Sequence, residues 1–512
     1  MRTKQAFKNL VASLLLEAVL ALSGLIIPRF FTALYGSSMN GLVSSVNQFI
    51  SYMCLVEAGV GAAGTVALYG PLAQKNYLQI SEIVSAARAF YMRSGWIFIG
   101  LVAALVGFYP LIVQNQIADA GFVRMMIVIL SLSGIVDYFI LGKYRVLLMA
   151  DQKGYVIYTI QIIGTILMTI ASIVLIELEC SALLVKGVAS AIYVLRSIAV
   201  ALYVKKRYPE VNFNAKPDMS AFKQRWSALL HQIVTLVVNN TAVILMTVML
   251  PINGLAEVSV YNIYNLVGYA IANLLNSISN GVRSSFGQVM ANNETEVLRK
   301  SYSSYEYIFF IFVFFCYICM GVLLYPFISL YSADFTDGVV YLRWPLVALF
   351  TAVGFIQSIR VPALTVLLAA GHYRETQGRA IAEATINFVV SLSLIRPLGI
   401  IGVLIGSLVS YLYRSADVIL YTAKHFVPKS LKKSIVRLLR NGITSAALIM
   451  IGLKLLPMQT DIWFAWFALA VVFAICCGVV LLIVNIAFER NEFLACVKRI
   501  KDMFVPKHKT EQ

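Results

Sequence analysis

The sequence predicts an all-α polytopic membrane protein of about 14 transmembrane helices, built as two repeated six-helix bundles followed by two C-terminal helices. Three observations predict it. Apolar residues gather into a train of separate runs, each near the roughly 20 residues that a helix needs to cross a bilayer. Of 512 residues 60% are hydrophobic and only 13% charged, with a mean hydropathy of +0.82, more apolar surface than a soluble fold can hide. Blocks of sequence also recur at nearly one spacing across the two halves.

The first run, Asn9 to Pro28, follows Met1, Arg2, Lys4 and Lys8 as a signal peptide would. It continues into Arg29 with no small-residue cleavage site, so it reads as a retained first helix. Later clear runs are Gly121 to Gly142, Tyr155 to Leu175, Tyr305 to Tyr325 and Trp463 to Ile486. The connections between runs are too short for a separate catalytic domain, which argues against a membrane enzyme.

The net charge of +17 does not imply nucleic acid. Basic residues fall in alternate connections, as the positive-inside rule requires of cytoplasmic loops. These hold Lys75, Arg88 and Arg93, then Lys143, Arg145 and Lys153, then Lys205 to Arg225, Arg299 and Lys300, Arg374 and Arg379, the run Lys424 to Arg440, and the tail from Arg490 to Lys509. The opposite side has isolated Arg29, Lys186, Arg343, Arg396 and Lys454, with Asp334 and Asp337. Both termini are expected in the cytoplasm.

Arg196-Ser197 with Tyr203, Lys205 and Pro209 returns as Arg414-Ser415 with Tyr421, Lys424 and Pro428, about 218 residues on. Val146 to Asp151 returns as Val366 to Gly371, and Gly70 to Asn76 is echoed around Gly287 to Asn293. Repetition at nearly one spacing marks a duplicated unit. With an even number of spans per repeat, the halves share one orientation. The expected organisation is residues 1–208 as the N-terminal bundle, 209–225 as a basic cytoplasmic linker, 226–428 as the C-terminal bundle, 429–486 as helices thirteen and fourteen, and 487–512 as a basic tail. In that tail Phe493, Val497, Ile500 and Phe504 recur at helical spacing among lysines and arginines. Such a helix lies on an anionic leaflet or is simply held inside by its charges.

Seven cysteines lie mostly within spans, and Cys316 and Cys319 read as packing residues despite their CxxC spacing. Four separated histidines form no metal-ligand pattern, so no metal or cofactor is indicated. Asn239-Asn240-Thr241 matches a glycosylation sequon but sits inside a span. No GxxxxGK[ST] loop is present, so ATP hydrolysis by this chain is not expected.

Polar side chains in spans are costly unless they face a cavity or one another. In span eight Asn262, Asn265, Tyr269, Asn273, Asn276 and Asn280 fall on one face at 100° per residue, and Arg283 extends it. In span two Ser44, Asn47, Ser51, Cys54, Gly61 and Thr65 share a face, with Glu57 at its flank. Two readings stand, interhelical hydrogen-bonded glue and a wet central cavity; six aligned polar residues on one helix exceed what packing needs and point to the cavity. Arg283 and Arg360 have no acid within one helical turn, and arginine suits bidentate phosphate recognition. Arg360 precedes Pro362, which would kink its helix. Arg414 and Asp417, three apart, can neutralise each other; their repeat mate Arg196 has no equivalent acid, and the repeated Arg-Ser can mark a helix contact common to both repeats. Glu57 and Asp137 are the candidates for ion coupling.

The stretch Glu57-Ala-Gly-Val-Gly61-Ala-Ala, then Leu68-Tyr69-Gly70-Pro71-Leu72-Ala73 and Ile80, resembles the second-helix signature of bacterial polysaccharide transporters. These are the O-antigen and capsule-type lipid-linked oligosaccharide flippases of the multidrug/oligosaccharidyl-lipid/polysaccharide exporter superfamily. The Pro28-Arg29 exit from helix one and the Gly41-Leu42 entry to helix two are similar too. The resemblance implies two bundles around a cavity that opens alternately to either side of the bacterial cytoplasmic membrane. It implies a polyprenyl-pyrophosphate-linked glycan as substrate, its diphosphate held by basic residues, for which Arg29 and Arg283 are the matching positions. Implied partners are that glycan, membrane lipids, and the glycosyltransferases and polymerase acting before and after the transporter. The sister lipid II flippases concentrate arginines along helix one, where this chain has Glu17 and only Arg29 at the end. Multidrug exporters of the superfamily have twelve helices and an acidic cation site, from which this chain departs by its extra pair and its cationic excess.

Overall fold

The computed structural model describes residues 2–57, 59–117, 119–219, 240–428, 430–457 and 462–504. Among them 11 helical segments are long and apolar enough to cross a membrane, from Lys8–Tyr35 to Trp463–Phe488. Three further segments belong to the same all-helical architecture but fall short of that measure for identifiable reasons. One is broken, one is short within the described residues (Asn240–Met249), and one, Gly254–Ala291, is made polar by its asparagines. The sequon residue Asn239, Lys223 and Arg225 lie outside the described residues.

By contacts the chain divides into unit 1, Met1–Asn262 with Asp334–Val339, and unit 2, Ile263–Ala333 with Val340–Gln512. The repeat boundary expected at 209–225 follows sequence repetition; the contact boundary at Asn262 follows what packs together. Buried hydrogen bonds explain the later boundary, because Ser45 pairs with Thr247 at 2.7 Å and Asn40 donates to Ser259 at 2.8 Å.

Unit 1 begins with α1 (Arg2–Tyr35), whose Leu10, Leu14, Leu15 and Leu22 are exposed, the surface a lipid-facing helix requires. α2 (Ser37–Met53) and α3 (Val60–Gln74) are joined by a 3₁₀ turn at Cys54–Glu57 and by Gly59 at φ 85°. A positive φ suits glycine and ends a helix. The expected single polar face from Ser44 to Thr65 is therefore interrupted after Cys54. Gly41 of α2 has no room for a side chain, since a Cβ there would stand 1.8 Å from the Leu255 carbonyl oxygen. α4 (Tyr77–Val113) is capped by Asn76 and α5 (Ala120–Val136) by Asp119, each side chain accepting from the backbone N–H three residues on. α5 runs through a π turn, Asp137–Leu141, into α6 (Gly142–Ala150). α7 (Gly154–Glu177) and α8 (Ala182–Arg207) pack together, and α9 (Asn240–Met249) ends the unit's helices before α10 (Gly254–Ala291). The core centres on α2, α4, α5 and α6, with Phe31, Phe98, Tyr109 and Leu147 fully buried.

Unit 2 takes most of α10, then α11 (Thr295–Tyr331), α12 (Trp344–Ile359), α13 (Val361–Ala369), α14 (Tyr373–Leu398) and α15 (Ile400–His425). α12 and α13 are parted at Arg360 alone, where Pro362 stands at the start of the new helix and its missing N–H costs nothing. α16 (Ser430–Leu455), α17 (Trp463–Phe488) and α18 (Arg490–Phe504) pack on α11. Cys316 and Cys319 are free thiols on α11. On α18 Phe493 is half-buried and Val497 exposed, while the Ile500 and Phe504 side chains lie outside the described residues.

Candidate functional site

α10 carries the polar stripe that periodicity predicts. Asn276, Asn280 and Tyr269 are exposed, and Asn262, Asn265 and Asn273 partly so, while Leu275 and Ser279 of the opposite face are buried. No hydrogen bond joins those five asparagine side chains to any other described residue. Interhelical asparagine glue looks different in this same protein, for Asn387 is buried and donates to Ser407 and Ser410 at 3.3 and 3.2 Å. The α10 stripe is thus not spent on packing. An unsatisfied polar group in hydrocarbon costs several kcal/mol, so a face of this kind on a spanning helix needs water or a polar ligand against it. On α2, Asn47 and Ser51 are likewise exposed, Ser51 donating only to the Asn47 carbonyl within its own helix, whereas Asn40 and Ser45 of the other face are the buried glue.

Arg283 ends the α10 stripe. It forms no ion pair with any described carboxylate, and its Nε is buried without a hydrogen-bond partner. The other predicted arginines differ. Arg29, one residue after Pro28, donates to Asp334 at 2.7 Å, and Asp337 of the same segment accepts the Ser37 N–H. Arg360 lies in a network: it donates to Glu383 at 2.6 Å and stacks over Tyr411, Glu383 lies 3.5 Å from Arg414, and Asp417 accepts from both Arg414 and Arg379. The acid that Arg360 lacks on its own helix arrives from α14, a partner that local spacing could not reveal.

Asp137 opens the π turn and accepts from Arg145 at 3.1 Å and from the Tyr193 hydroxyl at 2.6 Å. π turns are rare and occur often at functional sites. Glu57, half-buried in the 3₁₀ turn, is within electrostatic range of Arg145 and Asp137. Sequence reasoning placed Arg145 in a cytoplasmic loop; its separation of two helical turns from Asp137 was the available signal.

A second charged group escaped the sequence altogether. Arg437, read as part of a basic connection, is 1% exposed and bonds Glu306 at 2.9 Å and Glu489 at 2.6 Å. Arg440 joins Glu489 at 2.8 Å, and Lys433 joins Glu492 at 2.8 Å. Burial pushes the Glu489 carboxyl up, but hydrogen bonds from Arg437 and Arg440 outweigh it and hold the group below its usual 4.5. Burial raises Glu492 too, and Lys433 and Ser303 reverse it in the same way. Acids depressed by folding stabilise above their unfolded pKa and lose that contribution as pH falls through the folded value. The contact of α18 with α11 and α16 is therefore expected to hold at neutral pH and to loosen only below about pH 4.5. Proteolysis or hydrogen exchange of residues 490–504 across pH 7 to 3 checks this; release near neutrality would contradict it.

No family model matches the sequence, and neither does any curated protein. Solved structures do match. "Lipid II flippase MurJ, inward closed conformation" superposes with a TM-score of 0.66 at 13% identity, covering 94% of this chain and 99% of the other. An inward-facing multidrug resistance MATE family transporter of the MOP superfamily gives 0.55 at 14%, covering 82% and 94%. A MATE structure in a bent conformation gives 0.52 at 13%, covering 84% and 96%. The chain has the fold of these transporters. That agreement extends over 94 to 99% of the length of those chains. At such low identity it carries the fold and not the cargo.

Proposed function

We propose that the chain is a flippase that moves polyprenyl-pyrophosphate-linked oligosaccharide across the bacterial cytoplasmic membrane by alternating access, for cell-surface polysaccharide synthesis. The observation that carries this reading is the exposed, unbonded asparagine stripe of α10 ending at Arg283. Amides and hydroxyls match the hydrogen-bonding surface of a glycan, and a guanidinium matches its diphosphate. Within unit 1, Asn47 and Ser51 of α2 offer the same chemistry. Arg29 in unit 1 and Arg360 in unit 2 are each ion-paired and would bind phosphate only by exchanging Asp334 or Glu383 for its oxygens. An apolar cavity of about 590 Å³ among α11, α12 and α16, lined by Phe314, Phe355 and Ile449, suits part of a prenyl chain. Export of an anion is favoured by an inside-negative potential, about 2.3 kcal/mol per charge per 100 mV, and Glu57 with Asp137 would couple an ion if one is used.

A lipid II flippase is the second reading, favoured by the MurJ likeness, which covers more of this chain than the MATE likenesses do. The two share diphosphate chemistry and differ in the glycan. Analysis of lipid-linked saccharides in a strain lacking the protein separates them. The expected result is a completed oligosaccharide unit trapped on the cytoplasmic leaflet with normal peptidoglycan precursors. Accumulated lipid II would establish the second reading, and truncated saccharide that still reaches the outside would indicate a transferase and end both.

A further inference from the structure

The two repeats carry the same Tyr-x-x-Arg-Ser motif, Tyr193 to Ser197 on α8 and Tyr411 to Ser415 on α15, but they balance its arginine differently. In unit 2, Arg414 is buried between Glu383 and Asp417. In unit 1 the position matching Asp417 is Ala199, and the residue that faces the arginine from the preceding helix is Gly164, 219 residues before Glu383. A Cβ on Gly164 would stand 3.1 Å from the Arg196 Cδ, so the arginine lies across the place where the second repeat has its carboxylate. Arg196 stacks on the Tyr193 ring at 3.9 Å and pairs with no described acid.

A cavity of about 410 Å³ opens beside it, and among the described residues that line it the charged ones are Asp137, Arg145 and Arg196. Asp137 is engaged by Arg145, which leaves Arg196 as the charged lining residue that pairs with no described acid. Gln161 lines it with an amide that bonds no described residue, and the Tyr158 hydroxyl has only a 3.9 Å contact to the Met149 sulfur. Leu141, Ile157 and Val200 complete an apolar wall. An uncompensated arginine within a span is expensive unless something anionic accompanies it, and the second repeat shows which atoms supply that anion when the chain provides its own.

We propose that this cavity binds a phosphate-type oxyanion, held by Arg196 with the Gln161 amide and the Tyr158 hydroxyl. The ligand takes the place that the Glu383 carboxylate holds in the other repeat. The site does not rest on the transport reading above. Its anion comes either from a phospholipid headgroup, for which the apolar wall offers contact, or from free phosphate.

The test uses the purified full chain in phosphatidylcholine nanodiscs, titrated with short-chain phosphatidylglycerol and, separately, with inorganic phosphate. Saturable binding of at least one probe is expected. Arg196→Ala should weaken it tenfold or more, and so should Gly164→Glu, which installs the missing carboxylate. Gly164→Glu should also melt at or above the parent temperature, because it fills the site; Arg196→Gln serves in its place if that variant is not produced. Binding of the phospholipid alone identifies a headgroup site, and binding of both probes identifies an anion site open to water. Absence of saturable binding, or equal affinity in the parent and the Arg196 variants, overturns the proposal.

Discussion

Arg283→Ala is expected to lower transport of a lipid-linked saccharide by tenfold or more in reconstituted vesicles while leaving abundance and thermal stability near those of the parent. The expectation follows from its bonding. Arg283 has no described carboxylate to abandon, and its Nε is already buried without a partner, so removing it breaks no network of the resting protein. A hydrogen bond to a charged group contributes about 1.5–3 kcal/mol, and a lost anion contact of that size corresponds to roughly a ten- to hundredfold loss in binding. Asn276→Leu, which deletes one neutral contact from an exposed stripe, should cost less, within about tenfold. Vesicle transport with an inside-negative potential, run beside a melting curve for each variant, checks both. Normal transport by both variants, or loss of both from the membrane, would mean that the stripe serves packing instead.

The contrast with Arg360 explains why the sequence distinguished these arginines only in part. Helical periodicity depends on neighbours within one element, so it found the α10 stripe and the run of spans directly. Ion pairs depend on which helices meet. Arg360 and Arg283 looked alike by local spacing, yet Glu383 from α14 claims the first and no described acid claims the second. The break at Gly59 escaped because a glycine in an apolar run is compatible with a continuous helix; only its positive φ shows the interruption. Arg437 was misread for a related reason. It stands in a strongly basic stretch, where the positive-inside pattern assigns it to water, but Glu306 and Glu489 reach it from 131 and 52 residues away.

The largest stability effect is therefore expected at Arg437. Its side chain is 1% exposed and Glu306 is 3% exposed, so truncation strands a buried carboxylate and deprives Glu489 of one of its two guanidinium partners. Breaking a buried pair by removing one partner costs about 3–5 kcal/mol, whereas replacing the whole set with neutral groups of similar volume is often close to neutral. Arg437→Ala should accordingly melt well below the parent and expose residues 490–504 to protease, since Glu489 and Glu492 secure that helix. Arg440→Ala should cost less, because Arg437 still holds Glu489. Adding Glu306→Gln and Glu489→Gln to Arg437→Met should recover much of the loss, which simple removal of packing volume would not do. The order of melting temperatures in detergent, parent, triple variant, then Arg437→Ala, is the decisive reading. An unchanged melt for Arg437→Ala would show that apolar contacts alone fasten α16 to α18 onto α11.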